Sequence, residues 1–345
     1  MDAPVADLLI RGAILGLLAL FFVVFLRIGR GFDAARRAAL LSFGIACYTL
    51  NASQTLLPVL PPELRYGVLI PVSVINPVLL WWFAGALFKD RFPVIGWRLI
   101  PPAVLLVNYV VWELVIGIEP FAQLLVHTLA SIAVFGLVIW LPLQDRASDL
   151  IERRRAIRSA FAVITGLLGV IIISFEFADA GTGWPTLALF ATTFLFGAAF
   201  LSVRLDPLAP RPALPKQEAR RRMAPEDAHF LDRLIALMDS GVYREEGLTV
   251  ARLAEKVGVP EHRLRRIINQ GLGYRNFAAF LNERRVADAK TWLADPENGL
   301  TPVSSLAYDL GYASLGPFNR AFKEVTGQTP TEYRRSRLAA HQQPS

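Results

Sequence analysis

The chain has a single cysteine, Cys47, among 345 residues, which excludes an intrachain disulfide and any zinc or iron–sulfur site built from several thiolates. Cys47 lies in an apolar run, so a packed thiol is expected. No spacing of His, Asp and Glu reads as a metal cluster. No lysine falls inside a long apolar stretch, which excludes a retinal-type Schiff base, and no Gly-x-Ser-x-Gly run accompanies His127, which argues against an intramembrane serine hydrolase. The N-terminus carries Asp2 and Asp7 in place of a basic leader, with no small-residue cleavage site close behind, so the first apolar stretch does not read as a removable signal. The sequence therefore reads as a non-enzyme that calls for no cofactor.

What is present is an uneven distribution of two chemistries. The chain is 54% hydrophobic yet carries a net charge of +7, and its mean hydropathy is +0.41. The apolar excess sits before about Ser202, whereas the later residues mix Arg, Glu and Asp with short apolar periods, which implies two solvents. Seven segments hold the roughly 20 apolar residues that a helix needs to cross a bilayer, near Leu8 to Leu26, Ala38 to Leu57, Tyr66 to Phe88, Leu99 to Ile118, Phe121 to Leu143, Ile157 to Phe177 and Trp184 to Val203. The third and fourth contain Pro71, Pro77, Pro101 and Pro102 and are expected to be the least regular. Arg27, Arg30, Arg36 and Arg37 follow the first segment, Lys89, Arg91 and Arg98 the third, and Arg146, Arg153, Arg154, Arg155 and Arg158 the fifth. Basic loops stay inside, so the sequence predicts an outside N-terminus and a cytoplasmic C-terminus, in the inner membrane of a bacterial cell.

Residues 204–227 are rich in Pro and Arg, lack apolar periodicity and read as a tether, with Arg220, Arg221 and Arg222 as a solvated charge run or a contact for phosphate. Beyond it an arrangement occurs twice. Val250, Leu253, Ala254 and Val257 have amphipathic helical spacing, with Thr249 as N-cap and Gly258 as stop. Val303, Leu306, Ala307 and Leu310 repeat the pattern, with Thr301 as cap, Pro302 at the first helical position and Gly311 at the end. Each copy is followed by a second helix, near Glu261 to Gln270 and Leu315 to Val325, which makes a helix-turn-helix each time. In the first of these, Leu264, Ile267 and Ile268 are expected to be buried, leaving His262, Arg263, Arg265 and Arg266 exposed. In the second, Phe318, Phe322 and Val325 are expected to be buried, leaving Leu315, Gly316, Asn319, Arg320 and Lys323 exposed with Ser314 as cap. Between the copies, Phe277, Phe280, Leu281, Val286, Ala289 and Leu293 predict one helix from about Asn276 to Leu293, a spacer of roughly 25 Å that suits successive major grooves on one face of DNA.

Three stretches, LTVARLAEKVGVPEHRLRRIINQGLG (Leu248 to Gly273), RRVADAKTWL (Arg284 to Leu293) and GYASLGPFNRAFKEVTGQTPTEYRR (Gly311 to Arg335), resemble the AraC/XylS family of transcription regulators. The resemblance covers Ala228 to Arg335. It implies a tandem helix-turn-helix that binds double-stranded promoter DNA, with His262, Arg265 and Arg266 in the first unit and Leu315, Gly316, Asn319 and Arg320 in the second facing bases. Pro260 stands where the family usually has a capping serine, Arg265 where it often has a serine, and Gly316 brings no base-reading side chain, so the preferred DNA sequence does not follow. The expected organisation is an all-α chain with a seven-span sensor (1–203), the linker (204–227), the DNA-binding domain (228–335) and a short tail (336–345). Its expected partners are promoter DNA, the lipid bilayer, RNA polymerase, a second copy of the chain and an unknown signal ligand. Asn51, Gln54, Asn108, Glu113, His127 and Glu176 fall in the outer halves of their segments, where ionisable groups need a partner or a wet cavity, and they are the candidate sensing residues. The alternative reading is a membrane transporter with a regulatory DNA-binding domain.

Overall fold

The computed structural model describes residues 3–28, 33–53, 55–89, 92–111, 120–144, 146–178 and 225–341. The expected span at 184–203 and the tether up to residue 224 lie outside the described residues. Among them all regular structure is helical, with one isolated antiparallel bridge between Asp149 and Asn276. The chain divides into two compact units, one of Met1–Arg146 with Arg153–Pro210 and one of Ala147–Glu152 with Arg211–Ser345.

The first unit holds α1 (Ala3–Ile28), α2 (Asp33–Asn51), α3 (Pro62–Val74), α4 (Asn76–Phe88), α5 (Ile100–Val110), α6 (Pro120–Gln144) and α7 (Glu152–Ala178). Its core gathers Phe21 and Phe25 of α1, Trp81, Phe83 and Phe88 of α4, Val138 and Leu141 of α6 and Phe161 of α7. Apolar side chains also cover the outward faces: Leu9, Leu20, Val107, Leu129, Val163, Leu167 and Val170 are all exposed. Helices that are apolar all round belong in a core or in a bilayer. Two helices are long and apolar enough to cross a membrane, Val5–Arg27 and Leu125–Gln144, and a third crossing arises if α3 and α4, bent by 47° at Ile75, form one broken span.

The expected seven crossings are thus corrected to two or three among the described residues. The reason lies in where helices start and stop. α2 opens with Asp33, Arg36 and Arg37, so its uncharged part is shorter than a bilayer requires. The expected spans at 99–118 and 157–177 run into residues 112–119 and side chains 171–178 that lie outside the described ones. Several arginines that sequence reading assigned to loop sorting also tie helices together. Arg37 donates to the Trp82 and Phe92 carbonyls at 3.0 and 2.7 Å. Arg158, 2% exposed, donates to the Phe88 carbonyl at the end of α4 and the Pro142 carbonyl near the end of α6, at 2.8 and 3.2 Å. These carbonyls sit where a helix lacks internal donors. Arg11, overlooked in the hydropathy pattern, is buried within α1 against Asp7 (2.7 Å) and the Thr49 carbonyl (2.8 Å).

The second unit begins with α8 (Pro225–Asp239), which sets Leu231, Leu234 and Met238 into a core shared with α9 (Val250–Val257) and α10 (Glu261–Arg266). The Thr249 hydroxyl accepts from the Arg252 amide at 3.2 Å as an N-cap, and Gly258 ends α9 in the left-handed region. α10 continues as a π-helical turn through Ile267–Gly271, with Leu264, Ile267 and Ile268 fully buried. α11 (Phe277–Ala294) starts at Asn276, whose side chain accepts from the Ala278 amide at 2.7 Å. α12 (Val303–Asp309), α13 (Leu315–Thr326) and α14 (Pro330–His341) complete the unit.

Three local expectations change. α12 is capped by Pro302 rather than Thr301. Ser314 occupies the N-cap position of α13, but its side chain makes no capping hydrogen bond. Val325 is 53% exposed, and Ala321 takes its place beside Phe318 and Phe322. The i, i+3, i+4 stripe of 318, 321 and 322 is narrower than a reading weighted to large side chains expects.

α11 belongs to both cores. Phe277, Phe280 and Leu281 enter the first, Val286, Ala289 and Leu293 the second. Midway, the buried Arg285 donates to the carbonyls of Tyr243 (2.7 Å) and Glu245 (3.1 Å), with its guanidinium 4.9 Å from the Tyr312 ring. Gly311 closes against this junction with φ +79°, and a Cβ there would lie 2.3 Å from the Arg244 carbonyl oxygen. Gly258 has similar backbone strain but faces only the flexible end of Arg233. Left-handed backbone costs an L-residue about 1–2 kcal/mol. Gly258→Ala should lose about that much, and Gly311→Ala clearly more, in the opening free energy of α11 measured by amide hydrogen exchange. Equal losses would contradict the close approach at Gly311.

Candidate nucleic-acid interface

The two second helices present different faces. On α13, Leu315, Gly316, Arg320 and Lys323 are exposed, as expected from the sequence, whereas Asn319 is half-buried. The Phe318 and Phe322 rings anchor the opposite side, packed at 5.7 Å between centroids, with Tyr312 and Tyr333 flanking them. A side chain at Gly316 would find only the end of Arg320 nearby, so the first turn of α13 is an open surface. A helix with this polarity can lay its free side along a groove while its aromatic side holds it to the domain.

On α10, His262 and Arg266 are exposed, but the arginines are engaged. Asp227, at the first turn of α8, accepts from Arg263 Nε at 2.7 Å and from Arg266 Nη2 at 3.0 Å. Arg263 also lies 4.7 Å from the Phe230 ring. Arg265, expected on the exposed side, is instead only 5% exposed. Its guanidinium donates to Glu261 and to the carbonyls of Asp149 (2.7 Å) and Ala147 (3.1 Å). The physical reason is a long-range contact: a short segment, Ala147–Glu152, belongs to this unit and covers that side of α10.

Asp227 was overlooked because the linker was read as ending there. The signal existed: Pro225 followed by Glu226 and Asp227 is a helix start, and Phe230, Leu231 and Leu234 have helical spacing. Burial pushes the Asp227 carboxyl up, but the Arg263 hydrogen bond and the charges of Arg266 and Arg263 outweigh it, so its pKa lies below the ordinary 3.8.

The candidate sensing residues are only partly described. Asn51, Asn108 and His127 are half-buried. The Asn51 carboxamide oxygen is buried without a hydrogen-bond partner among the described residues. The His127 ring lies 3.5 Å from the Ser131 hydroxyl one turn along α6. Gln54 and Glu113 lie outside the described residues, as does the side chain of Glu176 on α7. No hydrogen bond joins Asn51, Asn108 and His127.

Residues 253–336 match the family model described as a helix-turn-helix domain. The chain is 36% identical over 94 residues to an uncharacterized HTH-type transcriptional regulator of Staphylococcus aureus, a match that covers 27% of this chain and 12% of that protein. It is 29% identical over 101 residues to the regulatory protein SoxS of Escherichia coli strain K12, covering 29% of this chain and 89% of that protein. The chain thus spans about an eighth of the length of the staphylococcal relatives it matches. No solved structure matches it. Residues 253–336 are therefore similar to a helix-turn-helix domain. The apolar helices of the first unit fall outside the family match.

The depressed Asp227 pKa carries a sign. Its stabilising effect is fully present above the ordinary carboxylate value and is lost as pH falls through the lower folded-state value. Asp227→Asn should therefore destabilise the second unit at pH 7, by about 1–2 kcal/mol for charged hydrogen bonds to partly solvated partners. The gap to wild type should shrink as pH falls below 3.8. Denaturant unfolding at a series of pH values measures it, and a gap independent of pH would contradict the pairing.

Proposed function

We propose that the chain is a membrane-anchored, sequence-specific DNA-binding transcription regulator, with its DNA-binding domain (228–335) on the cytoplasmic side of a bacterial inner membrane. The observation that carries this reading is the pair of helix-turn-helix units built on α11, one of them presenting the exposed polar side of α13. The names of the matched proteins, a transcriptional regulator and a regulatory protein, support it. The apolar outward faces of α1, α6 and α7 support a bilayer anchor. Residues 1–203 would then be the sensor, and 204–224 the tether, since Pro225 opens α8. RNA polymerase and a second copy of the chain are the further partners proposed. Asn51, Gln54, Asn108, Glu113, His127 and Glu176 are the groups proposed to meet the signal, supported by the unpartnered Asn51 oxygen.

On α13, Leu315, Asn319 and Arg320 are the proposed base readers, with Lys323 at the phosphates and Gly316 allowing close approach. On α10, His262 and Arg266 are the proposed readers, with Arg263 and Arg265 as neighbours that bind when released from their present partners. The test is quantitative footprinting with the full chain in membranes. Arg320→Ala should weaken binding to the selected site by about 1–3 kcal/mol and relax its preference at one base. Arg266→Ala should cost less, because wild-type Arg266 must first leave Asp227. If both variants bind as wild type does, α10 and α13 are not the reading helices. If the promoter response to the inducing condition survives both Asn51→Ala and His127→Asn, those residues are not the sensor.

A further inference from the structure

The segment Ala147–Glu152 packs as part of the helix-turn-helix unit, although in sequence it lies between α6 and the body of α7. It is seated by main-chain pairing and by a side chain. The Ser148 carbonyl accepts from the Phe277 amide at 2.8 Å, and the Leu150 amide donates to the Arg275 carbonyl at 3.0 Å, which forms the bridge between Asp149 and Asn276. Leu150, 3% exposed, enters the first core with Leu264, Ile268 and Phe277. Asp149 is 1% exposed, and its carboxylate accepts from the Ile151 amide at 3.1 Å.

The donors taken by this strap have one chemistry. Arg265 offers a guanidinium fork to the carbonyls of Ala147 and Asp149. Phe277 is the first residue of α11, and an amide there has no acceptor within its own helix. Forked guanidinium groups and helix-start amides are the groups that bind phosphate oxygens and guanine edges. The strap presents carbonyl oxygens to both, on the side of α10 where the sequence places a base-facing arginine. We infer that residues 147–151 stand in for DNA acceptors on the first helix-turn-helix, so that strap docking and DNA binding by that half exclude each other. The inference rests on the DNA-binding reading above. In the docked state the second helix-turn-helix is open to DNA, whereas Arg265 of the first and the Phe277 amide are covered. Since the strap is most of the connection between α6 and α7, a signal that moves either helix acts on it through the chain itself.

The test uses the full chain in lipid nanodiscs, in a Cys47→Ser background, with Leu150→Cys as a reporter and a duplex that the full chain enriches from a random pool. The introduced thiol should react slowly with a maleimide alone and at least tenfold faster with saturating duplex. Separately, Leu150→Asp should release the strap and bind the duplex about tenfold more tightly than wild type, with hydrogen-exchange protection of α13 unchanged to show that the domain remains folded. Fast labelling without duplex, or labelling unchanged by a duplex that demonstrably binds, overturns the strap and leaves the DNA-binding reading intact. Weaker or unchanged binding by a folded Leu150→Asp chain overturns it too. Failure of wild type and Leu150→Asp alike to enrich any duplex overturns the DNA-binding reading, and the strap with it.

Discussion

The C-terminal unit depends on one shared helix. α11 gives its first half to one core and its second half to the other, and neither small core is large enough to be well ordered without it. The shared helix also fixes distance. Its 18 residues span about 27 Å at 1.5 Å per residue, and Arg285 clamps the middle by binding the carbonyls of Tyr243 and Glu245, at the end of the segment that precedes α9. Gly311 lets the second unit close on the same clamp. The separation of α10 from α13 is therefore a property of packing.

The two halves joined in this way are chemically unequal. On α13 the polar side is exposed and its aromatic side is locked by Tyr312, Phe322 and Tyr333. On α10 the guanidinium groups are already satisfied: Asp227 holds Arg263 and Arg266, while Glu261 and the strap carbonyls hold Arg265. Arg265, withdrawn from water, needs such partners. The same partners make the first half conditional on a change elsewhere in the chain, which suits a domain continuous with apolar helices.

Much of the second unit was legible because its signals are local. Thr249 and Gly258 bound α9, Asn276 starts α11, and the apolar periods of both helices match their buried faces. Val325 misled because it is large and apolar at nearly the right spacing, whereas the position that packs is the small Ala321. Arg265 was placed on the correct helix, but its burial depends on Asp149, which lies 116 residues away in sequence, and no local pattern announces that contact. The span count failed for a related reason. Hydropathy sums apolar residues without regard to helix ends, and it treats Arg37 and Arg158 as loop markers, whereas Arg37 also satisfies the Trp82 and Phe92 carbonyls and Arg158 those near the ends of α4 and α6. Arg11, a lone charge within an apolar run, is tolerated because Asp7 lies one turn before it and the Thr49 carbonyl is within reach.

The central claim is that one rigid helix presents two reading helices to a single face of DNA. Hydroxyl-radical footprinting of the full chain carrying Leu150→Asp, which releases the strap, on its selected duplex tests it most directly. The account predicts two protected patches on the same face, centred one helical turn apart, about 10 base pairs or 34 Å. A single short patch, or two patches on opposite faces of the duplex, would contradict it.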